Sequence, residues 1–226
     1  MTEDNPKQVD LEVCQKEATA GDAQAQYTLA QCYEEGRVIK ESGKEAFSWY
    51  EKAAQQGHAL AQLSLARMYE DGWGTRADEE KAAHYYKAAA EQGLVEGQVT
   101  LGHMYAEGLG VPVDAQKAVY WFQKAAEQGD ADGQFELAMM LTLGQGIEKN
   151  DQEALQWHRK AAEQGHVDSQ FNLAFMLEEG IGTIANPEEA YQWYQKAAQQ
   201  GDEEAQKKVG IAPPKKKKSS GKRKKK

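Results

Sequence analysis

The sequence predicts an all-α solenoid of five helix pairs, and three recurring features carry that prediction. One glycine column repeats every 36 residues. A Gly-X-Gly motif recurs inside four of the resulting units, and an aromatic column recurs near the end of all five. A fixed period of this length is typical of stacked supersecondary units, each of which buries its apolar face against its neighbours. The glycines of the first column are Gly21, Gly57, Gly93, Gly129, Gly165 and Gly201.

The same period divides the chain into an N-terminal segment with a capping helix, a repeat region and a C-terminal cap, followed by a basic tail. We place these at 1–20, 21–201, 202–211 and 212–226. The five repeats are predicted at 21–56, 57–92, 93–128, 129–164 and 165–200. Residues 11–20 align with the second helix of a unit and residues 202–209 with a shortened first helix. Both are therefore expected to be partial capping helices that cover exposed core faces.

The first half of each repeat predicts a helix that ends at a glycine. In the fourth repeat, Gly133, Leu137 and Leu141 recur at helical spacing. The sequence Gly-Gln-Gly at 144–146 follows, and glycine supplies the positive φ that ends a helix. A phosphate-binding glycine loop instead follows a strand and opens a helix, so this motif predicts a turn.

The second half of each repeat predicts a capped helix with an aromatic column. Its N-cap position is always Ser, Asp or Asn, whose side chains satisfy the amides of the first helical turn. These residues are Ser42, Asp78, Asp114, Asn150 and Asn186. Seven residues later stand large rings, which we expect to fill the space between layers: Trp49, Tyr85, Trp121, Trp157 and Trp193.

The combined pattern AxAQYxLAxxYxxG, a GxG turn and DxxKAxxWYxKAAxQG resembles the Sel-one-like repeat (SLR) family, relatives of tetratricopeptide repeats. The resemblance covers 21–201 and implies a right-handed α/α superhelix that acts as an adaptor or scaffold in protein complexes. Tetratricopeptide repeats proper are the second choice, because they usually have shorter units without this turn. Some secreted SLR proteins carry repeated cysteine pairs and have been assigned penicillin binding or hydrolysis. This chain has only Cys14 and Cys32, so that activity is not expected.

The composition favours a cytoplasmic protein, with a nuclear location if the host is eukaryotic. The N-terminal residues MTEDNPKQVD lack the basic and apolar regions of a secretory signal. Apolar stretches are only a few residues long, far short of the roughly 18 that span a bilayer. The two cysteines are too few for a disulfide scaffold, and we expect both to be small buried side chains.

No pattern in the sequence predicts catalysis, a cofactor or a metal site. The five histidines form no HExxH motif, and CxxC, GxSxG and Walker sequences do not occur. His158 replaces an aromatic residue in the column that contains Tyr50, Phe122 and Tyr194, which favours core packing. We therefore predict a protein that is not an enzyme.

A partner is expected on the inner, concave wall, which the first helices of such solenoids line. The predicted wall is mainly acidic and suits a peptide or helix of basic character, while the fourth and fifth repeats add apolar side chains. The candidate partner-binding residues are Met139, Leu143, Phe175, Glu107, Asp132, Asp168 and Glu179. The alternative is that a contact between repeats covers the apolar ones. Trp73, in a loop, is expected to pack on a neighbouring turn rather than to contact a ligand.

The tail divides the chain into an acidic body and a basic end. It contains nine basic residues and no acidic ones, whereas residues 1–211 contain 18 basic and 36 acidic residues. Without apolar side chains the tail is expected to be disordered. The competing hypothesis for the function of the protein is that this tail binds nucleic acid or another polyanion. The tail could also direct nuclear import, anchor the protein weakly to lipid, fold back on the acidic wall or only increase solubility. The basic residues are Lys215, Lys216, Lys217, Lys218, Lys222, Arg223, Lys224, Lys225 and Lys226.

Overall fold

The computed structural model describes residues 10–36 and 38–210, which form twelve α-helices joined by short turns and contain no strand. The all-α prediction is confirmed. Ten of the helices are 13-residue members of the five predicted pairs, and the flanking two are shorter. The helices are α1 Leu11–Ala20, α2 Ala23–Glu35, α3 Gly43–Gln55, α4 Ala59–Asp71, α5 Glu79–Glu91, α6 Val95–Glu107, α7 Ala115–Glu127, α8 Ala131–Leu143, α9 Asp151–Glu163, α10 Val167–Glu179, α11 Pro187–Gln199 and α12 Glu203–Lys208.

The chain divides into two compact units, one up to Lys149 and one from Asn150. In the first unit, helices α1 to α8 pack in sequence order, each on the one before it. In the second unit, α9 packs on α10, α10 on α11 and α11 on α12. The capping helices α1 and α12 thus each pack on a neighbouring repeat helix, and each unit has the neighbour-to-neighbour packing of a helical solenoid.

The N-caps predicted for the second helices are all present. Each side chain accepts a hydrogen bond from the amide three residues later, for example Asp114 Oδ1 from Lys117 N at 3.0 Å. The first helices use caps that the sequence analysis missed. His58 Nδ1 accepts from Ala61 N at 3.2 Å, and His166 Nδ1 does the same for the amide three residues on. Two of the five histidines are therefore helix caps.

The predicted core positions are buried. His158 is 1% exposed, in the position that Phe122 occupies in the preceding repeat, and both cysteines are buried as free thiols. Trp121 and Trp193 of the aromatic column are buried, and its other rings are half-buried. Packing between helices thus explains why large rings recur at this position of the repeat.

A ladder of glutamine side chains, three of them buried and one half-buried, connects the helices, and it was not predicted from the sequence. Gln98 on α6 donates from Nε2 to the carbonyl of Ala90 on α5 at 3.2 Å. Its Oε1 accepts from Gln128 Nε2, beyond the end of α7, at 2.7 Å. The same pair of bonds recurs around Gln26, Gln62 and Gln170. Each of these glutamines thus links three successive helices, and the two bonds satisfy the polar atoms of its own side-chain amide.

Replacing Gln98 with leucine is expected to lower the free energy of unfolding by about 2 kcal/mol, because the bonds that Gln98 makes with the Ala90 carbonyl and the Gln128 amide are both lost. Urea unfolding followed by circular dichroism measures the loss. Gln116→Leu, at an exposed site at the start of α7, is the matched control and should change stability by less than about 0.5 kcal/mol. Equal losses in the two variants would contradict the role of the ladder.

Candidate functional site

The candidate partner-binding residues of the first unit lie on α6 and α8. Met139 and Leu143 are four residues apart on α8 and so share one helix face. Leu143 is 56% exposed, whereas Met139 is half-buried. Glu107 is the exposed last residue of α6, and Asp132 is exposed in the first turn of α8. An exposed apolar side chain and exposed carboxylates therefore occur on these neighbouring first helices.

The candidates of the second unit all lie on α10. Asp168, Phe175 and Glu179 are exposed, and Phe175 has 42% of its surface open to solvent. Their spacing of seven and four residues places them along one side of the helix. Their role in partner binding stays a prediction. The nine basic tail residues lie outside the described part of the chain.

Four of the five first helices end in carboxylates, against the usual preference of a helix. Glu34 and Glu35 end α2, Glu70 and Asp71 end α4, and Glu107 ends α6. In the second unit, Glu178 and Glu179 end α10. The last turn of each first helix contains no basic residue, whereas four of the five second helices have a lysine there. Negative charge at a helix C-terminus is unfavourable, because it meets the negative end of the helix dipole.

Three of these carboxylates are held by tyrosine hydroxyls from the following helix. Tyr86 Oη donates to Glu70 Oε2 at 2.5 Å, and Tyr194 Oη donates to Glu178 Oε2 at 2.8 Å. Tyr50 makes the same bond to Glu34. Burial, and then the hydrogen bond to Glu70, raise the pKa of Tyr86. The tyrosine therefore stays protonated, and its hydroxyl can hold the glutamate side chain in place.

The sequence contains a signal for these pairs that the sequence analysis did not use. Where phenylalanine replaces the tyrosine, at Phe122, the position of the glutamate is occupied by Ala106. The paired change within one chain indicates that the two columns are in contact. The structure brings them together because the tyrosine column lies against the last turn of the preceding first helix.

Basic side chains lie next to two carboxylates of the first helices in the first unit. The Arg67 guanidinium on α4 binds the Glu96 carboxylate on α6 through both oxygens, with Nε 2.7 Å from Oε1. His103 Nε2 lies 3.6 Å from Glu136 Oε1. In the second unit, Lys208 Nζ likewise donates to Glu178 Oε2, at 2.5 Å. Basic side chains therefore compensate part of the negative charge of the first helices.

The described residues contain no group of three or more histidine, cysteine, aspartate or glutamate side chains arranged to hold a metal ion. Among the same residues, no helix has both the length and the apolar character needed to cross a bilayer. The surface that the side chains do form is suited to recognition, since it combines fixed charges with exposed apolar groups.

Comparisons with known proteins agree with this architecture. The family model for the Sel1 repeat matches five successive segments, at 23–58, 59–94, 95–130, 131–166 and 167–202. A Sel1 repeat protein from Oxalobacter formigenes has a similar solved structure, with a TM-score of 0.75 and 28% identity over 89% of this chain and 84% of that one. A comparison with curated proteins gave no match.

A second solved structure is that of a protective antigen present in uropathogenic Escherichia coli strains, which displays an SLR fold. It is 32% identical, with a TM-score of 0.58 over 89% of this chain, and the chain spans about half of its length, 51%. The five matched segments cover most of the sequence, and the helix pairs and their turns agree with them. The chain therefore belongs to the Sel1 repeat family, and its fold is that of an SLR solenoid.

Proposed function

We propose that this protein is a non-catalytic scaffold or adaptor that binds a basic peptide or helix of a partner through the first-helix surface. Sel1 repeat proteins generally mediate protein–protein interactions. The observation that carries the proposal is the set of carboxylates at the ends of α2, α4, α6 and α10, without a basic residue in any of those last turns.

The placement of these carboxylates costs the protein stability. A negative charge in the last turn of a helix costs about 0.3–1 kcal/mol at an exposed site. The second helices of the same chain follow the opposite rule, with Lys52, Lys124 and Lys160 among their last-turn residues. Binding of a positively charged partner would explain why this unfavourable charge pattern is kept, because the carboxylates attract such a partner over a long distance.

The apolar candidates would supply the short-range part of the interaction. Leu143 exposes 56% of its surface and Phe175 exposes 42%, and Phe175 stands four residues before Glu179 on α10. Exposed apolar side chains with a charged rim are typical of interaction sites, in which a few residues contribute most of the binding free energy.

Affinity purification with mass spectrometry tests the proposal, using the full chain and a 1–211 truncation at low and moderate salt. The expected result is a protein partner that the truncation still captures at moderate salt. If every captured molecule is lost with the tail, the scaffold proposal is wrong.

The double variant Leu143→Ser, Phe175→Ser is expected to weaken capture of that partner at least about tenfold, since two apolar contacts are lost. Isothermal titration calorimetry with the identified partner measures the change. Ile184→Ser is the control, because Ile184 is 89% exposed in the turn before α11 and lies outside the first helices. Circular dichroism should show unchanged helicity in all of these variants. An equal loss of affinity in the control would argue against a specific role for the pair.

A second candidate function is the binding of a polyanion, such as nucleic acid or an anionic surface, through the lysine-rich tail. The observation that favours it is the concentration of nine basic residues within 212–226, next to a body that is strongly acidic. Phosphate contacts of this kind weaken steeply with salt, because binding releases counterions. Salt-sensitive binding of a DNA duplex that the 1–211 truncation lacks would support this function.

A further inference from the structure

A cavity of about 330 Å³ lies in the first unit, beside the indole of Trp73. Trp73 follows α4, and the cavity is also lined by Glu34, Glu41, Asp71 and Arg67. Ligand pockets range upward from about 300 Å³, so this one is at the lower limit and suits a single long side chain.

The charges around the cavity favour a cation. Glu41 and Asp71 are exposed, and their carboxylates make no hydrogen bond or ion pair with the other described residues. Glu34 is fixed by the Tyr50 hydroxyl. The basic side chain of the lining, Arg67, is engaged through its guanidinium by Glu96. The lining of the cavity thus contains three carboxylates, and its one cation is already paired with a carboxylate outside the lining.

The indole packs against the core of the first unit, in space left by a glycine on the facing helix. A Cβ atom on Gly43, the first residue of α3, would lie 3.0 Å from Cε2 of Trp73. One repeat further along the chain, Glu79 occupies the position of Gly43, and Leu109 occupies the position of Trp73. The tryptophan and the glycine therefore occur together, since the small residue leaves space for the large ring. The ring is therefore positioned before any ligand arrives.

We propose that this cavity binds the guanidinium group of an arginine in a peptide segment of the partner. A planar guanidinium stacks on an indole face and pairs with carboxylates at its edge, which a lysine ammonium does less well. Trp73 would supply the face, and Glu41 and Asp71 the carboxylates. This inference rests on the proposed function and adds the chemistry of one anchor residue in the partner.

The test is a titration of the full chain with N-acetyl-arginine N-methylamide, followed by NMR of the tryptophan indole N–H signals. Trp73→Leu assigns the Trp73 signal among the five and keeps an apolar side chain in the loop, as Leu109 does in the next repeat. We expect the Trp73 signal to shift saturably with the arginine compound. The citrulline analogue has the same shape without the charge and should cause no shift.

The double variant Glu41→Gln, Asp71→Asn is expected to weaken arginine binding about tenfold, since two charge-assisted contacts are lost. Glu79→Gln, Glu80→Gln is the matched control, because it removes two exposed carboxylates of the same unit that lie on the second helix α5, outside the cavity. An absent shift, an equal shift with citrulline, or equal weakening in the control would overturn the proposal. It would also be overturned if Arg223→Gln moved the Trp73 signal without ligand, since the tail would then be the occupant.

Failure of this inference is distinguishable from failure of the proposed function. If Leu143→Ser, Phe175→Ser abolishes capture of a partner and Trp73→Leu does not, the cavity has no role and the scaffold function stands. If the 1–211 truncation captures no partner, the scaffold function itself fails.

Discussion

Gly110→Ala is expected to lower the free energy of unfolding by at least about 3 kcal/mol, the sum of a strained backbone and a backbone clash. Gly110 is the second glycine of a Gly-X-Gly turn and has a φ of 65°. A Cβ atom there would lie 2.0 Å from the carbonyl oxygen of Glu79, the first residue of α5. Because the obstructing atom belongs to the backbone of a helix, the contact cannot be relieved by a side-chain rotation. Denaturant unfolding measures the loss.

Gly129→Ala separates the two causes of this effect. Gly129 has a φ of 90°, but nothing lies within 4 Å of the added Cβ. This variant should therefore show only the cost of the left-handed backbone, about 1–2 kcal/mol. If the two variants are equally destabilised, the close approach of the turn to α5 does not contribute.

His158 is expected to make the protein lose about 3 kcal/mol of stability as the pH falls from 7 to 4. Burial, and then the neighbouring His166, lower the pKa of His158 to about 4, from an ordinary value near 6.5. Above pH 6.5 the imidazole is neutral in both the folded and the unfolded chain. Below that pH the unfolded chain takes up a proton that the folded one does not, so stability falls until the pH reaches the folded pKa.

Unfolding free energies measured across this pH range test the prediction in His158→Phe. Phenylalanine stands at the same position in the third repeat, as Phe122, so the ring should fit. The variant should lose most of the pH dependence between 6.5 and 4, whatever its stability at pH 7. His84→Gln, at an exposed site, should keep the dependence of the parent protein. An unchanged slope in His158→Phe would show that other groups cause the acid sensitivity.

The candidate surface was only partly predictable from the sequence. The spacing placed Leu143 and Phe175 on first helices at positions that the structure leaves exposed. The sequence analysis did not predict that Met139 would be half-buried, because helical spacing gives the direction of a side chain but not the size of its neighbours. It also assigned Trp73 to packing, whereas the indole both packs on Gly43 and lines a cavity.

The sequence by itself determined the helices, their ends and their number. Those features depend on local chemistry: the apolar spacing, Ser, Asp and Asn at N-caps, and glycine where φ is positive. Because these local patterns recur every 36 residues, they can be recognised by comparing the repeats with one another.

The tertiary structure alone decided which of these local features meet. The glutamine ladder joins residues about 30 positions apart, and the tyrosine–glutamate pairs join residues 16 apart. The second glycine of each turn is required by a helix of the preceding repeat. Such contacts depend on the distance and orientation between helices, which the pattern of one helix does not contain. The cavity beside Trp73 is of the same kind, since α2, α4 and the turns that follow them form its walls together.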